Sequence, residues 1–274
     1  MKKEIVVGNI KIGGDNPLVL IAGPCVIEDK AKAIEHAKIL KIITERLKIP
    51  FIFKSSYDKA NRSSVRSFRG PGLKEGLEIL KEIKTSLNIP VTSDVHTKEE
   101  VREASAVLDL LQIPALLSRQ TDLLLEAAKT GKPLNIKKGQ FMAPWDMRNV
   151  VEKIESCGNE NIVLTERGTS FGYNNLVSDM RSIVIMKEMG CPVIYDASHS
   201  VQLPAGEGER SGGERKFIPY LCRAAVSAGA DGLFLEVHKD PDSAPCDGAN
   251  MWPVDKLADI LEEVLAIKKA LKRR

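Results

Sequence analysis

Cys25 closes the stretch Leu18-Val-Leu-Ile-Ala-Gly-Pro-Cys25, in which an apolar run leads into a Gly-Pro turn. A thiol placed there is a nucleophile, a metal ligand or a small buried residue, and free cysteine is often simply buried. Seven further apolar runs end in the same way, on ionisable or strongly polar side chains. Pro50–Phe53 is followed by Lys54 and a loop carrying Lys59, Asn61, Arg62 and Ser63, and Pro90–Thr92 by Asp94 and His96. Leu108–Ile113 contains Gln112 and precedes Arg119, while Pro133–Ile136 leads to Lys137. Asn161–Leu164 precedes Glu166 and Arg167, Pro192–Tyr195 precedes Asp196 and His199, and Gly232–Leu235 precedes Glu236 and His238, with Asp247 in the next loop.

Two chemistries are contained in that set. Lys54, Lys59, Arg62, Arg119, Lys137 and Arg167 are cations of the kind that hold phosphate and carboxylate oxygens. Cys25, His199, Glu236 and Asp247 are a thiol, an imidazole and two carboxylates, the donor types of a divalent metal, with a softness that does not choose among Zn²⁺, Fe²⁺ and Mn²⁺. Their spacing in the chain signals nothing. The plain alternative is surface ion pairs and structural polar groups, and only the elements that carry these residues decide between the two.

Those elements alternate. Between the short runs lie amphipathic stretches such as Ala31–Leu47 and Leu73–Leu87, and a last helix is predicted over Pro253–Lys272. Strand–helix alternation means a parallel sheet. Eight such units in 274 residues have the count and size of an α/β (β/α)₈ TIM barrel. A doubly wound open sheet is the alternative, but the first strand-to-helix turn lacks the glycine pattern of its phosphate loops. Residues 1–274 form a single domain, with 1–16 as a small β-hairpin cap turning at Gly8-Asn9.

A barrel collects its strand ends at one mouth, which gathers the cations. Closure also sets the last strand between the seventh and the first, so Cys25, His199 and Glu236 come from adjacent strands and Asp247 can fold back to them. His36 sits on a helix and is read as a surface residue; Cys157, Cys191 and Cys222 are read as structural. Residues 55–72, 200–213 and 237–252 are long loops, the second glycine-rich and polar as a lid would be.

The bulk numbers exclude several classes. A net charge of +3 with 5% aromatic residues does not describe a nucleic-acid binder. No apolar run suits a membrane span or a signal peptide. Five cysteines without a C-x-x-C pair suit a reducing cytoplasm.

With these residues in view, the chain resembles the 3-deoxy-D-manno-octulosonate 8-phosphate synthases over nearly its whole length from Ile21. The resemblance is carried by Ile21-Ala-Gly-Pro-Cys25, Phe53-Lys-Ser-Ser-Tyr-Asp-Lys-Ala-Asn-Arg-Ser-Ser64, Gln112-Ile-Pro-Ala115, Arg119-Gln-Thr-Asp-Leu123, Lys137-Lys-Gly-Gln-Phe141, Ala143-Pro-Trp145, Leu164-Thr-Glu-Arg-Gly168, Phe171-Gly-Tyr-Asn-Asn175 and the stretch from Asp196 to Pro204. It implies condensation of phosphoenolpyruvate with D-arabinose 5-phosphate, for lipopolysaccharide synthesis. It also implies a cytoplasmic homotetramer with sites shared between subunits. Asp94, His96, Lys59 and Asn61 are the implied catalytic residues. Lys54, Lys59, Asn61, Arg62, Ser63, Gln112, Arg119, Lys137 and Arg167 are the implied substrate-binding residues, with Arg62 and Ser63 reaching the sugar phosphate of a neighbouring subunit. Cys25, His199, Glu236 and Asp247 are the implied ligands of a divalent metal ion. Members that need the metal have Cys at position 25 and members that do not have Asn, whereas Cys246-Asp247-Gly248 is closer to the metal-independent members.

The nearest rival is a 3-deoxy-D-arabino-heptulosonate 7-phosphate synthase, which takes erythrose 4-phosphate; Lys59-Ala-Asn-Arg-Ser63 argues against it. A Schiff-base aldolase using Lys137 or Lys138 and a non-catalytic phosphosugar-binding barrel are the others.

Overall fold

Each of the eight apolar runs becomes a strand, and each amphipathic stretch between them a helix. The computed structural model describes residues 3–62, 64–207 and 210–271. A hairpin comes first, with β1 (Glu4–Val7) paired antiparallel to β2 (Ile10–Gly13). The repeat then runs β3 (Val19–Gly23), α1 (Lys30–Leu47), β4 (Phe51–Lys54), α2 (Leu73–Leu87), β5 (Val91–Asp94), α3 (Lys98–Val107), β6 (Leu110–Ile113), α4 (Thr121–Lys129), β7 (Leu134–Lys137), α5 (Met147–Glu155) and β8 (Ile162–Glu166). A small hairpin, β9 (Thr169–Ser170) and β10 (Leu176–Val177), precedes α6 (Arg181–Lys187) and β11 (Val193–Asp196). A second hairpin, β12 (Gln202–Glu207) and β13 (Arg210–Gly213), precedes α7 (Ile218–Ser227), β14 (Gly232–His238), β15 (Trp252–Pro253) and α8 (Leu257–Leu271).

Parallel pairing follows the order β3-β4-β5-β6-β7-β8-β11-β14, and β14 pairs back onto β3, so the sheet closes into an eight-stranded barrel. Side chains alternate along each strand. Val19, Ile21, Ile52, Leu110, Val163, Ile194 and Phe234 pack together inside the barrel, joined by Ile5, Val7, Ile10 and Ile12 of the hairpin. Gly8 and Gly13 approach Pro90 and Pro192, which precede β5 and β11, so the hairpin plugs the N-terminal end. Leu20, Ala22, Phe51 and Phe53 belong instead to the larger core between strands and helices. Burying each large apolar side chain contributes about 1.5–3 kcal/mol. With the lower barrel filled this way, polar side chains inside it are concentrated at the C-terminal end.

Local signals hold the frame in register. Asp29 caps α1 by accepting from the Lys32 backbone N–H at 2.8 Å, and Lys48 (φ 56°) and Asn88 (φ 51°) end α1 and α2 in the left-handed conformation.

Three expectations are corrected. The last helix starts at Leu257, not Pro253, because Trp252 and Pro253 pair in parallel with Val237 and His238 and a tight turn over Val254–Lys256 follows; Lys272 lies outside the described residues. The glycine-rich segment after β11 is not an open loop, since its backbone forms the hairpin β12–β13. His36 is buried, with its ring stacked on His238 at 4.6 Å between centroids.

Candidate active site

Lys54, Asp94, Lys137, Glu166 and Asp196 are the last residues of their strands, which is where a barrel delivers side chains to its mouth. A cavity of about 250 Å³ opens there, and its lining includes Lys54, Lys59, Asn61, Asp94, His96, Lys137, Gln140, Arg167, His199, Gln202 and Asp247. Two of the lining lysines, Lys54 and Lys137, lie over a buried aromatic ring. The Phe234 ring carries the Lys137 ammonium 3.5 Å from its centroid and the Lys54 ammonium at 5.6 Å, so two cations share one aromatic ring.

Each charge is held by a named partner. Lys54 Nζ donates to the Cys25 carbonyl and to Glu236 Oε1, both at 2.8 Å. The close approach of β3 to β4 that permits this requires Gly23, because a Cβ there would overlap the Lys54 carbonyl oxygen. Lys137 Nζ donates to Asp196 Oδ2 at 2.6 Å. Burial pulls Lys137 below the ordinary lysine value, with Asp196 and Asp94 opposing. Lys138 is buried beside Glu166 (3.7 Å) and donates to Thr169 Oγ1 at 3.0 Å, tying the loops after β7 and β8 together.

Asp94 accepts from Ser56 Oγ (2.6 Å) and Gln112 Nε2 (2.7 Å); Gln112 accepts from Asn135, and Asn135 from Thr165. A hydrogen-bonded row therefore spans β5 to β8 and reaches Ser56 beyond β4. Burial works against the Asp94 carboxylate, but the Lys54, Lys59 and Lys137 charges outweigh it and hold its pKa well below the usual range. His96 is fixed by Glu100, whose Oε2 accepts from the His96 backbone N–H (3.0 Å) and from Tyr57 Oη (2.7 Å) and lies 3.3 Å from Nδ1. With Nδ1 donating to that carboxylate, Nε2 is left for the cavity.

The metal-type residues meet at the same mouth. Cys25 Sγ lies 3.3 Å from Asp247 Oδ2, and His199 Nε2 lies 3.7 Å from Glu236 Oε1. They form two overlapping triplets with donor atoms within 4.8 Å, Cys25–Cys246–Asp247 and His199–Glu236–Asp247, with Asp247 common to both. His199 Nδ1 bonds Asp196 Oδ2 at 2.8 Å. That turns Nε2 toward Glu236, an arrangement in which a carboxylate orients a ligating imidazole. Glu236 Oε2 is buried with no hydrogen-bond partner among the described residues. An orphan carboxylate oxygen inside a protein is costly, and it fits a cation ligand. Burial opposes the charge on Glu236, and Lys54 and Lys59 overcome it, keeping the carboxyl ionised far below its ordinary value. Burial pushes the Cys25 thiol well up, so it gives up its proton only to a strong competitor.

Not every predicted residue reaches the cavity. Gln112 lies beneath it and positions Asp94. Arg119 is exposed after β6 and is not among the lining residues. Arg62 turns into its own chain, with Nη1 donating to Cys246 Sγ at 2.9 Å and Asp247 Oδ1 at 3.4 Å. Ser63 lies outside the described residues. Conversely, Gln140 and Gln202 line the cavity, and Asp196, Phe234 and Cys246 contact residues placed there, without having been chosen as candidates. Asp196 stood at a strand end and Cys246 beside Asp247, so both had a signal; Phe234 reads as any barrel-interior apolar residue.

The fold and site define a (β/α)₈ barrel that gathers buried lysines, carboxylates, an imidazole and two thiols at the C-terminal ends of its strands. The model of the DAHP synthetase I family matches residues 2–273, and the chain belongs to that family. Among curated proteins it is 61% identical over 272 residues to the 2-dehydro-3-deoxyphosphooctonate aldolase of Geobacter metallireducens, covering 99% of this chain and 100% of that one. It is similar at 61% and 58% to proteins of the same name from Geotalea daltonii and Geobacter sulfurreducens, with the same coverage.

Proposed function

We propose that this chain catalyses the condensation of phosphoenolpyruvate with D-arabinose 5-phosphate to 3-deoxy-D-manno-octulosonate 8-phosphate, the product from which its relatives take their name. C3 of phosphoenolpyruvate bonds to the aldehyde carbon, water adds at C2, and the C2–O bond breaks to release phosphate. The observation that carries the reading is Arg167. It is buried on the cavity wall, and its Nη1 has no hydrogen-bond partner among the described residues, which fits a substrate anion.

Lys54, Lys59, Lys137 and Arg167 hold the carboxylate and phosphate of phosphoenolpyruvate and stabilise the charge that moves during condensation. Arg119 belongs to the same proposed set. Asn61 meets the sugar hydroxyls. Asp94, ionised by its lysine neighbours, orients water, and His96 moves a proton at Nε2. Cys25, His199, Glu236 and Asp247 would hold a divalent ion, Zn²⁺, Fe²⁺ or Mn²⁺. Such an ion supplies Lewis-acid polarisation and orientation of the aldehyde. The reading includes a cytoplasmic homotetramer in which Arg62 and Ser63 serve a neighbouring subunit, and a role in lipopolysaccharide synthesis. Among the described residues no helix is long and apolar enough to cross a membrane.

The test is phosphate release and product formation with arabinose 5-phosphate and, in parallel, erythrose 4-phosphate. Turnover of arabinose 5-phosphate is expected. Turnover of erythrose 4-phosphate alone would assign the chain to the heptulosonate reaction instead.

A further inference from the structure

Inside the barrel, the layer above the apolar plug divides into two halves. One half holds the charge pairs Lys54–Glu236 and Lys137–Asp196. The other holds Asp94, Gln112, Asn135 and Thr165, one side chain from each of the consecutive strands β5 to β8. Gln112 and Thr165 stand two residues beyond Leu110 and Val163 of the plug, and so on the same inward face. Thr165 Oγ1 donates to Asn135 Oδ1 at 2.6 Å, Asn135 Nδ2 to Gln112 Oε1 at 2.9 Å and Gln112 Nε2 to Asp94 Oδ1 at 2.7 Å. Chemistry at the Asp94 end sets the sense of the whole row. Asp94, kept ionised against its burial by Lys54, Lys59 and Lys137, only accepts. Gln112 must therefore turn an N–H to it and a carbonyl oxygen to Asn135. Asn135 must do the same one strand further on, and the Thr165 hydroxyl is left as the closing donor. Turning either amide over would oppose donor to donor or acceptor to acceptor, at a place where Gln112, Asn135 and Thr165 are all fully buried.

The sheet does not need this row. Strands β5 to β8 already pair through their backbones, and apolar side chains of similar size would fill the layer without desolvating three polar groups. We propose that Asn135 and Thr165 are positioning residues, which fix the plane of the Asp94 carboxylate through the amide of Gln112. This role rests on the proposed part of Asp94 in orienting water. Ser56 Oγ holds Asp94 Oδ2 at 2.6 Å and Gln112 Nε2 holds Oδ1. Both oxygens are thus anchored, and each keeps a lone pair for the cavity that Asp94 lines. The Gln112 anchor is only as firm as the far side of its amide. With Asn135 donating to its oxygen, the amide is held at both ends. Without that bond it pivots on its long side chain, and the carboxylate pivots with it. Thr165 does for Asn135 what Asn135 does for Gln112, and successive bonds polarise one another along the row.

The experiment takes the full chain as Thr165→Val, Thr165→Ser and Asn135→Leu, and measures kcat, the KM for phosphoenolpyruvate and for arabinose 5-phosphate, and crystal structures. Thr165→Val exchanges a hydroxyl for a methyl group, and kcat is expected to fall about fivefold to tenfold; Asn135→Leu breaks the row at its middle and should lower kcat about tenfold to a hundredfold. Both KM values should stay within about threefold, because the groups that hold the substrates are untouched. Thr165→Ser keeps the donor and should recover the rate. In an Asp94→Asn background, Thr165→Val should lower kcat no further. Crystals of Thr165→Val and Asn135→Leu should show the Asp94 carboxylate turned or split between two orientations. An unmoved carboxylate in both variants, an unchanged kcat in Asn135→Leu, a loss that Thr165→Ser shares, or an equal loss in the Asp94→Asn background would each overturn the proposal. If Asn135→Leu does not fold, Thr165→Val carries the same two tests. If Asp94→Asn leaves no rate to compare, the crystals decide. If the wild type releases no phosphate from the two substrates, the assigned activity is overturned, and the crystals still decide the row.

Discussion

Asp196→Asn is the substitution whose consequences the site determines most fully. Both carboxylate oxygens of Asp196 are in use. Oδ2 accepts from Lys137 Nζ (2.6 Å) and His199 Nδ1 (2.8 Å), and Oδ1 accepts from the His199 backbone N–H (2.9 Å). Asparagine has nearly the same shape but offers one acceptor and one donor. In either orientation of the amide an N–H confronts a donor. The Lys137 ammonium would also stay buried against Phe234 without its nearest counter-charge. Removing one partner of a buried ion pair costs about 3–5 kcal/mol. Asp94 still faces Lys137, so the lower end, about 3 kcal/mol, is expected. Urea unfolding of the metal-free protein measures this. His199 loses the carboxylate that orients it, so zinc affinity should fall about 10–100-fold, read by competition with a chelator. The pH dependence gives a further check. Burial opposes the Asp196 charge, but His199 and Lys137 hold its pKa below the usual range. Its stabilisation is therefore complete above the unfolded value of about 3.9 and is lost as pH falls below it. The gap between wild type and variant should narrow on acidification below that value. An unfolding free energy within about 0.5 kcal/mol of wild type at neutral pH, together with unchanged zinc affinity, would refute this account of the site.

Other outcomes follow from the same geometry. Chelation should abolish turnover and a divalent ion restore it, and Cys25→Ala should be nearly inactive; full activity in verified metal-free protein would contradict the metal role. Cys25→Asn should keep activity that chelators do not affect, and its loss on chelation would count against the family comparison. Burial opposes the Glu100 charge, yet its bonds to His96 and Tyr57 bring its pKa down to about 2. Wild type should therefore lose a share of stability as pH falls from about 4.5 toward that value, and Glu100→Gln, followed by urea midpoints, should lack that share. Phe234→Leu removes the ring under two ammonium groups and should raise the KM for phosphoenolpyruvate roughly fivefold to thirtyfold, equivalent to about 1–2 kcal/mol of lost cation–π interaction; an unchanged KM would show that the ring only fills space.

The barrel was legible because its strands are buried on both faces and so read as unbroken apolar runs, separated by helices of clear periodicity. Boundaries failed where a tertiary pairing took over. Trp252 and Pro253 look like the start of a helix, but β14 recruits them. His36 looked exposed because a helix pattern with one imidazole does not reveal that a second imidazole, His238, waits across the interface. Residues at strand ends could be selected as a class, since barrel geometry sends strand ends to one mouth. Within that class, Arg62 and Arg119 could not be separated from Lys54 or Arg167, because direction depends on loops with no periodic pattern.

The residue types limited the chemistry open to this protein. Cations, carboxylates, an imidazole and a thiol at the ends of apolar runs offered groups able to hold anions and donor types compatible with a divalent ion. They could do so because side-chain chemistry is local, and because strand periodicity fixes which residues come last. Tertiary structure alone decided which groups meet. Closure of β14 onto β3 placed Glu236 beside Lys54, the loop between β14 and β15 brought Cys246 to Cys25, and Phe234 became a floor for two lysines. Those contacts join positions far apart in the chain, and their distances are set by packing around a closed ring, which no spacing along the sequence encodes.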